Sequence, residues 1–191
     1  MHRKALSVFA GKSPQIVRQK GMTFMSSTDK PFDISFHTEG GRFNFRVGAI
    51  IRHGGKMLLI KNRETTYLYT VGGRVRYNET TEEAVIREVK EETGITMEVE
   101  RILFFMEQFF DEEVTGEHFH EIGVYYLMKD DEALENVTCE SVTERGVMEE
   151  LIWIPEDELD RYYIAPVSLA KRLNHLPGHL ELLVENTPGQ D

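Results

Sequence analysis

Between Gly72 and Ile95 the chain carries six glutamates, Glu79, Glu82, Glu83, Glu88, Glu91 and Glu92, with Arg87 and Lys90 among them. Spacing decides what such carboxylates can do, because residues three and four apart on a helix lie on one face. Glu88, Glu91 and Glu92 stand at i, i+3 and i+4, so their side chains are expected to converge on one patch. Val85, Ile86 and Val89 lean to a neighbouring stripe that can pack on a sheet. Like charges so placed cost an isolated helix about 0.2–0.5 kcal/mol per pair, a repulsion that a hard divalent cation removes. Mg²⁺ prefers oxygen ligands and completes its shell with water and phosphate oxygens. Three glutamates with no accompanying Cys or His suit that ion rather than zinc. Gly72 and Gly73, just ahead of the helix, let the backbone approach a ligand closely, so a carbonyl there could join the shell. A Glu-rich helix with Arg and Lys interleaved also suits a face that simply turns to water.

The elements that must position these groups are readable on either side. Thr80-x-x-Glu83 is a capping box and Gly94 suits a left-handed C-terminal cap, which predicts a helix over 81–93. Upstream, Ile34 and Phe36, then Gly40-Gly41, then Phe43, Phe45 and Val47 alternate with polar residues and predict a β-hairpin. His53-Gly54-Gly55-Lys56 reads as a second turn, between the apolar runs Val47 to Ile51 and Met57 to Ile60, which suit strands covered on both faces. Tyr67 to Val71 is a further short strand, ending at the two glycines. Downstream, strands are expected over Met97 to Phe110, His118 to Met128 and Leu151 to Ile154. Asp111 to Glu117 and much of Asp130 to Gly146 read as loop. Pro155 to Leu159 opens a helical turn, and Pro166 to Leu176 a second helix with Pro at its start.

Composition bounds the possibilities. A chain of 191 residues, 40% hydrophobic and 29% charged, suits one folded domain with an extension. The formal net charge of −11 argues against binding a nucleic-acid polymer along its backbone. A phosphate-bearing small molecule would then need something other than the overall field to attract it, and a bound cation is the obvious candidate. The single cysteine, Cys139, allows no internal disulfide and lacks an identifiable activating partner, so it reads as inert in a reducing cytoplasm. No apolar run approaches the roughly 18–20 residues that span a bilayer. The first 28 residues hold Arg3, Lys4, Lys12, Arg18 and Lys20 and no acid. That is faintly like a transit peptide, but a poorly ordered extension ahead of a start at Met22 or Met25 is the plainer reading. The expected organisation is an extension over 1–30 and a single domain over 31–191, in a cytoplasmic protein.

Taken together, Gly73, Glu79, Arg87, Glu88, Glu91, Glu92 and Gly94, with Val89 and Ile95 at the bulky aliphatic positions, reproduce G-x5-E-x7-R-E-U-x-E-E-x-G-U. This resembles the signature of the Nudix hydrolases at every fixed position. Chance agreement of seven residues at roughly 6% usage each is on the order of 10⁻⁹. The resemblance covers roughly residues 43 to 160. It implies an α/β fold, an α/β/α sandwich in which the box forms a loop, helix and loop beside a mixed sheet, here preceded by the N-terminal β-hairpin. It also implies that Glu88, Glu91 and Glu92 bind Mg²⁺ or Mn²⁺ with help from the Gly72 carbonyl. Gly73, Glu79, Arg87 and Gly94 would support loop and helix, Glu79 and Arg87 by pairing with each other. The implied reaction is attack of water on a pyrophosphate, in a nucleoside diphosphate linked to another moiety or in a nucleoside triphosphate. The base is Glu88 in some members and a glutamate outside the box in others; here Glu107, Glu117, Glu121, Glu144 and Glu149 are candidates. Val71 departs from the proline that many members carry before the two glycines, which puts the loop geometry in question.

Other residues carry two readings each. Arg63, Arg74, Arg76 and Lys61 could hold substrate phosphates or be ordinary surface charge. His118-x-His120 could contact a metal or phosphate or be polar residues of a half-buried strand. Tyr67, Tyr69, Phe104, Phe109 and Trp153 could stack on a base, although aromatic residues at strand spacing more often belong to the core. The alternative to an enzyme is a sensor that keeps the fold to bind a nucleotide with little catalysis, but such a module would commonly have lost metal-binding glutamates. The exposed N-terminal hairpin could also pair or swap between subunits to form a homodimer.

Overall fold

A computed structural model describes residues 32–137, 140–142 and 146–187. The N-terminal extension, Cys139 and Glu144 lie outside the described residues. Among the described residues eleven strands run in chain order: β1 Ser35–Thr38, β2 Gly41–Ile50, β3 Arg52–His53, β4 Lys56–Asn62, β5 Leu68–Tyr69, β6 Val71–Arg74, β7 Val99–Asp111, β8 His118–Met128, β9 Glu140–Val142, β10 Met148–Pro155 and β11 Glu181–Thr187. The helices are α1, Thr81–Thr93, and α2, Val167–Leu173. Among the described residues no helix is long and apolar enough to cross a membrane.

The expected hairpin forms from β1 and β2, paired antiparallel from Ser35↔Asn44 to Thr38↔Gly41. Beyond it β2 holds two neighbours, β6 antiparallel on one side and β8 parallel on the other. The larger sheet has the order β1-β2-β8-β7-β11, with β6 beside β2. It is mixed, because β2/β8 and β7/β11 are parallel pairs and the remaining pairs antiparallel. A second sheet has the order β3-β4-β10-β9, with β5 beside β4.

The continuous apolar runs are covered on both faces, as their sequence suggests. Ala49, Ile51, Leu58 and Ile60 enter one core with Val85 and Val89 of α1. Ile50, Met57 and Leu59 enter another, with Leu169 and Leu173 of α2. Strict alternation thus feeds two cores, one with each helix, which is the sandwich expected of an α/β chain with a mixed sheet.

Three elements depart from the sequence reading. The expected strand Tyr67 to Val71 is divided at Thr70: β5 pairs with β4, and β6 runs on through Gly72 and Gly73 because each has a backbone partner on β2, Gly48 and Val47. Val71, the position where the resemblance implies proline, is fully buried opposite Ala49 and extends the strand instead of breaking it. β11 and β9 were not expected as strands. β11 joins as a parallel edge beside β7, with Leu182 and Val184 turned outward, an alternation that resembles a polar tail when read alone.

Candidate active site

Helix α1 starts and stops where its caps require. Glu83 N–H donates to Thr80 Oγ1 at 3.2 Å, and Thr80 N–H donates to Glu83 Oε2 at 2.9 Å, closing the capping box. Gly94 takes the left-handed cap at φ 74°, and its N–H reaches the Lys90 carbonyl. Ala84, Val85 and Val89 are buried against the sheet, which turns Glu88 and Glu92 toward β6.

There the two glycines are required by space. A Cβ on Gly73 would overlap the Glu88 carboxyl group, and one on Gly72 would strike the Val47 carbonyl oxygen. Gly72 also holds φ at 152°, outside the range that other residues favour. Its N–H donates to Glu92 Oε2 at 3.1 Å. Backbone and carboxylates thus meet at the glycine pair, with no side chain between them.

Arg87 organises the outer side. Its Nε and Nη2 donate to Glu79 Oε1 and Oε2 at 2.7 and 2.8 Å, the expected pairing in bidentate form. Nη2 also reaches the Arg74 carbonyl at 3.0 Å, and the Arg76 N–H donates to Glu79 Oε2 at 3.0 Å, so the pair staples the loop to the helix. The pairing does not, however, keep Arg87 off the acidic cluster, because Nη1 donates to Glu88 Oε1 at 2.5 Å and to Glu91 Oε2 at 3.3 Å.

The three glutamates are neighbours without closing on one point. The Glu88 side chain is 14% exposed and Glu91 48% exposed. Among the described residues no three carboxylate, imidazole or thiolate groups converge as ligands would. Each carboxylate has a donor of its own: Glu88 accepts from Arg87, Glu91 from Arg76 and Arg87, and Glu92 from the Gly72 amide. Burial pushes the Glu92 carboxyl up to about 8, with the charges of Glu149 and Glu88 adding to the effect. Burial also raises Glu88, against the pull of Arg87. Two half-buried carboxylates, beside a bare backbone and with no soft ligand, form a donor set that fits a hard cation.

Of the arginines expected at substrate, Arg63 is exposed past the end of β4. Arg76 is tied to Glu91 at 3.5 Å and Asp33 at 3.8 Å. Arg74 is half-buried on β6, and its Nε donates to Asn44 Oδ1 at 3.2 Å. His118 and His120 pair with Asp111 at 2.8 Å and Glu107 at 3.2 Å, and the His120 ring stacks on Phe109 at 4.4 Å. The strand histidines thus face carboxylates of β7. Phe104 is core, and Trp153 packs partly buried against the core beneath α1.

Two features escaped the sequence reading. Arg46, in mid-β2, lies within electrostatic reach of Glu121, Glu92 and Glu88. Tyr69 Oη donates to Glu149 Oε1 at 2.5 Å and accepts from Asn62 Nδ2 at 3.1 Å, fixing a carboxylate whose charge is felt at Glu92. An arginine at the point where the alternating stretch turns continuously apolar was the available signal for the first; nothing local signals the second.

A mixed sheet between two helices, with a strand–glycine–helix unit presenting clustered glutamates, defines a class of phosphate-handling hydrolase, and a NUDIX domain model matches residues 42–173. The chain belongs to the Nudix hydrolase family. It is 43% identical over 60 residues to a protein named ADP-ribose pyrophosphatase from Methanocaldococcus jannaschii, a match spanning 30% of this chain and 36% of that relative. In structure it is similar to a MutT protein from Methanosarcina mazei Go1, with TM-score 0.55 and 24% identity, covering 72% of this chain and 94% of that one. A mutator MutT protein from Bacillus halodurans has TM-score 0.53 and 18% identity, covering 76% and 91%. At such identities the two structures speak for the fold alone.

Proposed function

We propose that the chain is a divalent-metal-dependent pyrophosphohydrolase acting on a nucleoside diphosphate linked to another moiety or on a nucleoside triphosphate. The observation that carries this reading is the contact of the Gly72-Gly73 backbone with the half-buried carboxylates of Glu88 and Glu92. Glu88, Glu91 and Glu92, with the Gly72 carbonyl, would hold Mg²⁺ or Mn²⁺. When bound, such an ion neutralises charge developing on phosphate oxygens and makes water a better nucleophile.

The chain's own residues do the remaining work. Arg87 and Glu79 lock the loop to the helix, so the carboxylates keep their places. Glu149, held by Tyr69 beside Glu92, is the carboxylate we assign to accept the proton of the attacking water. Of the other candidates, Glu144 lies outside the described residues, while Glu107 pairs with His120, Glu117 with His37, and Glu121 with Asn44 and Gln108.

Incubation with a panel containing ADP-ribose, dinucleoside polyphosphates and nucleoside triphosphates plus Mg²⁺ tests the reading. Release of mononucleotide or pyrophosphate that stops on chelation is expected. Binding without any cleavage across the panel would favour a sensor.

A further inference from the structure

Alternation along β2 puts Asn44, Arg46 and Gly48 on one face. Register brings Glu121, Gly123 and Tyr125 of β8 and Arg74 and Gly72 of β6 beside them. Gly123 lies directly opposite Arg46 and has no side chain of its own, and the space there is taken by the ring of Tyr125. Among the described residues the five Arg46 donors have no hydrogen-bond or ion-pair partner, which is uncommon for a guanidinium half-buried in a sheet.

The natural counter-charge is Glu121, yet its carboxylate is filled from elsewhere. Asn44 Nδ2 donates to Oε2 at 3.2 Å and Gln108 Nε2 to Oε1 at 3.3 Å. Glu121 is buried, so it offsets the charge of Arg46 without occupying its donors. Arg74 and Arg42 crowd the same face: burial and then the charges of Arg46 and Arg42 push Arg74 down to about 10. Positive charge therefore accumulates on the β2–β6 face within electrostatic reach of the Glu88 and Glu92 carboxylates.

We infer that Arg46 is a substrate-contacting residue that grips the phosphate next to the one attacked, its charge offset by buried Glu121, which Asn44 and Gln108 hold in place. The inference rests on the hydrolase reading above and names a residue for it. Guanidinium groups bind phosphate through two parallel hydrogen bonds, and a pyrophosphate lying between Arg46 and metal-holding glutamates would be fixed at both ends. Removing Arg46 alone would strand a buried Glu121 charge and threaten the fold. The double substitution R46Q/E121Q avoids that penalty, and R46K keeps the charge while losing the fork.

The test is calorimetric binding of inorganic pyrophosphate in the presence of Mg²⁺, and of Mg²⁺ alone, with R172Q as a control for loss of one surface charge. Arg172 pairs with Glu181 at 3.0 Å outside this site. The double variant, shown to be folded by circular dichroism, should bind pyrophosphate about tenfold or more weakly while its affinity for Mg²⁺ changes little. R46K should lose several-fold, and R172Q should match the wild type. Pyrophosphate affinity within about twofold of wild type in the folded double variant overturns the inference, as does an equal loss of Mg²⁺ affinity, which would make Arg46 a support for the glutamates. If the double variant does not fold, R46K decides by the same two criteria. Wild-type protein that binds neither Mg²⁺ nor pyrophosphate contradicts the hydrolase reading itself, whereas wild-type binding that the variants leave unaltered contradicts Arg46 alone.

Discussion

At the scale of single residues, the Glu79–Arg87 pair shows how one interaction can serve stability and site together. Burial alone would raise the Glu79 carboxyl, but hydrogen bonds from Arg87 and the Arg76 amide outweigh it and hold the group below its usual range. A depressed folded-state pKa gives stability that is present above the unfolded value of about 4.3 and is lost as pH falls through the folded value. E79Q should therefore cost about 1.5–3 kcal/mol at pH 7. In denaturant titrations the gap to wild type should narrow below about pH 4 as wild-type Glu79 itself protonates. A gap that stays constant into acid would remove the charge from the explanation. The box glutamates, Glu79 and Arg87 were legible because the family's pattern names them. Arg46 was not, because period-two reading treats a polar residue in a strand as facing water, and only the arrival of β6 and β8 on either side decides otherwise.

At the scale of elements, α1 was readable to its ends because its stop and start signals are local side-chain and backbone chemistry. T80A removes both hydroxyl bonds of the cap and should cost about 1 kcal/mol, or roughly 2–4 °C in Tm, without changing kcat. An unaltered Tm would show that the cap is dispensable. β6 teaches the opposite lesson: glycine suggested a break, but a strand with partners on β2 tolerates it where a ligand-holding group must approach. G73A would drive the added methyl into the Glu88 carboxyl, and a displacement near 1 Å can cost on the order of 10²-fold in rate. We expect kcat to fall by about that factor with Tm changed by only a few degrees; full activity would show that the Glu88 contact has no functional weight. The parallel pairing of β2 with β8 could not be read locally, since it depends on where a distant strand docks.

At the scale of the whole molecule, two cores fed by the alternate residues of β2 and β4 hold one helix each, and the site sits at the edge where β6 meets α1. A chain with net charge −11 repels anionic substrates at long range. On the proposed function, a bound cation and the arginines on the β2–β6 face would supply the local positive charge that brings a pyrophosphate in. If so, chelation should abolish turnover, while raised salt, by screening the net negative field, should ease the long-range approach of substrate. The most direct test of the central claim is mononucleotide release from ADP-ribose and a nucleoside triphosphate with Mg²⁺, comparing wild type with E91Q/E92Q. The account predicts cleavage of at least one of these by the wild type, and loss of it in the folded variant and in EDTA. Undiminished cleavage by the variant would contradict it.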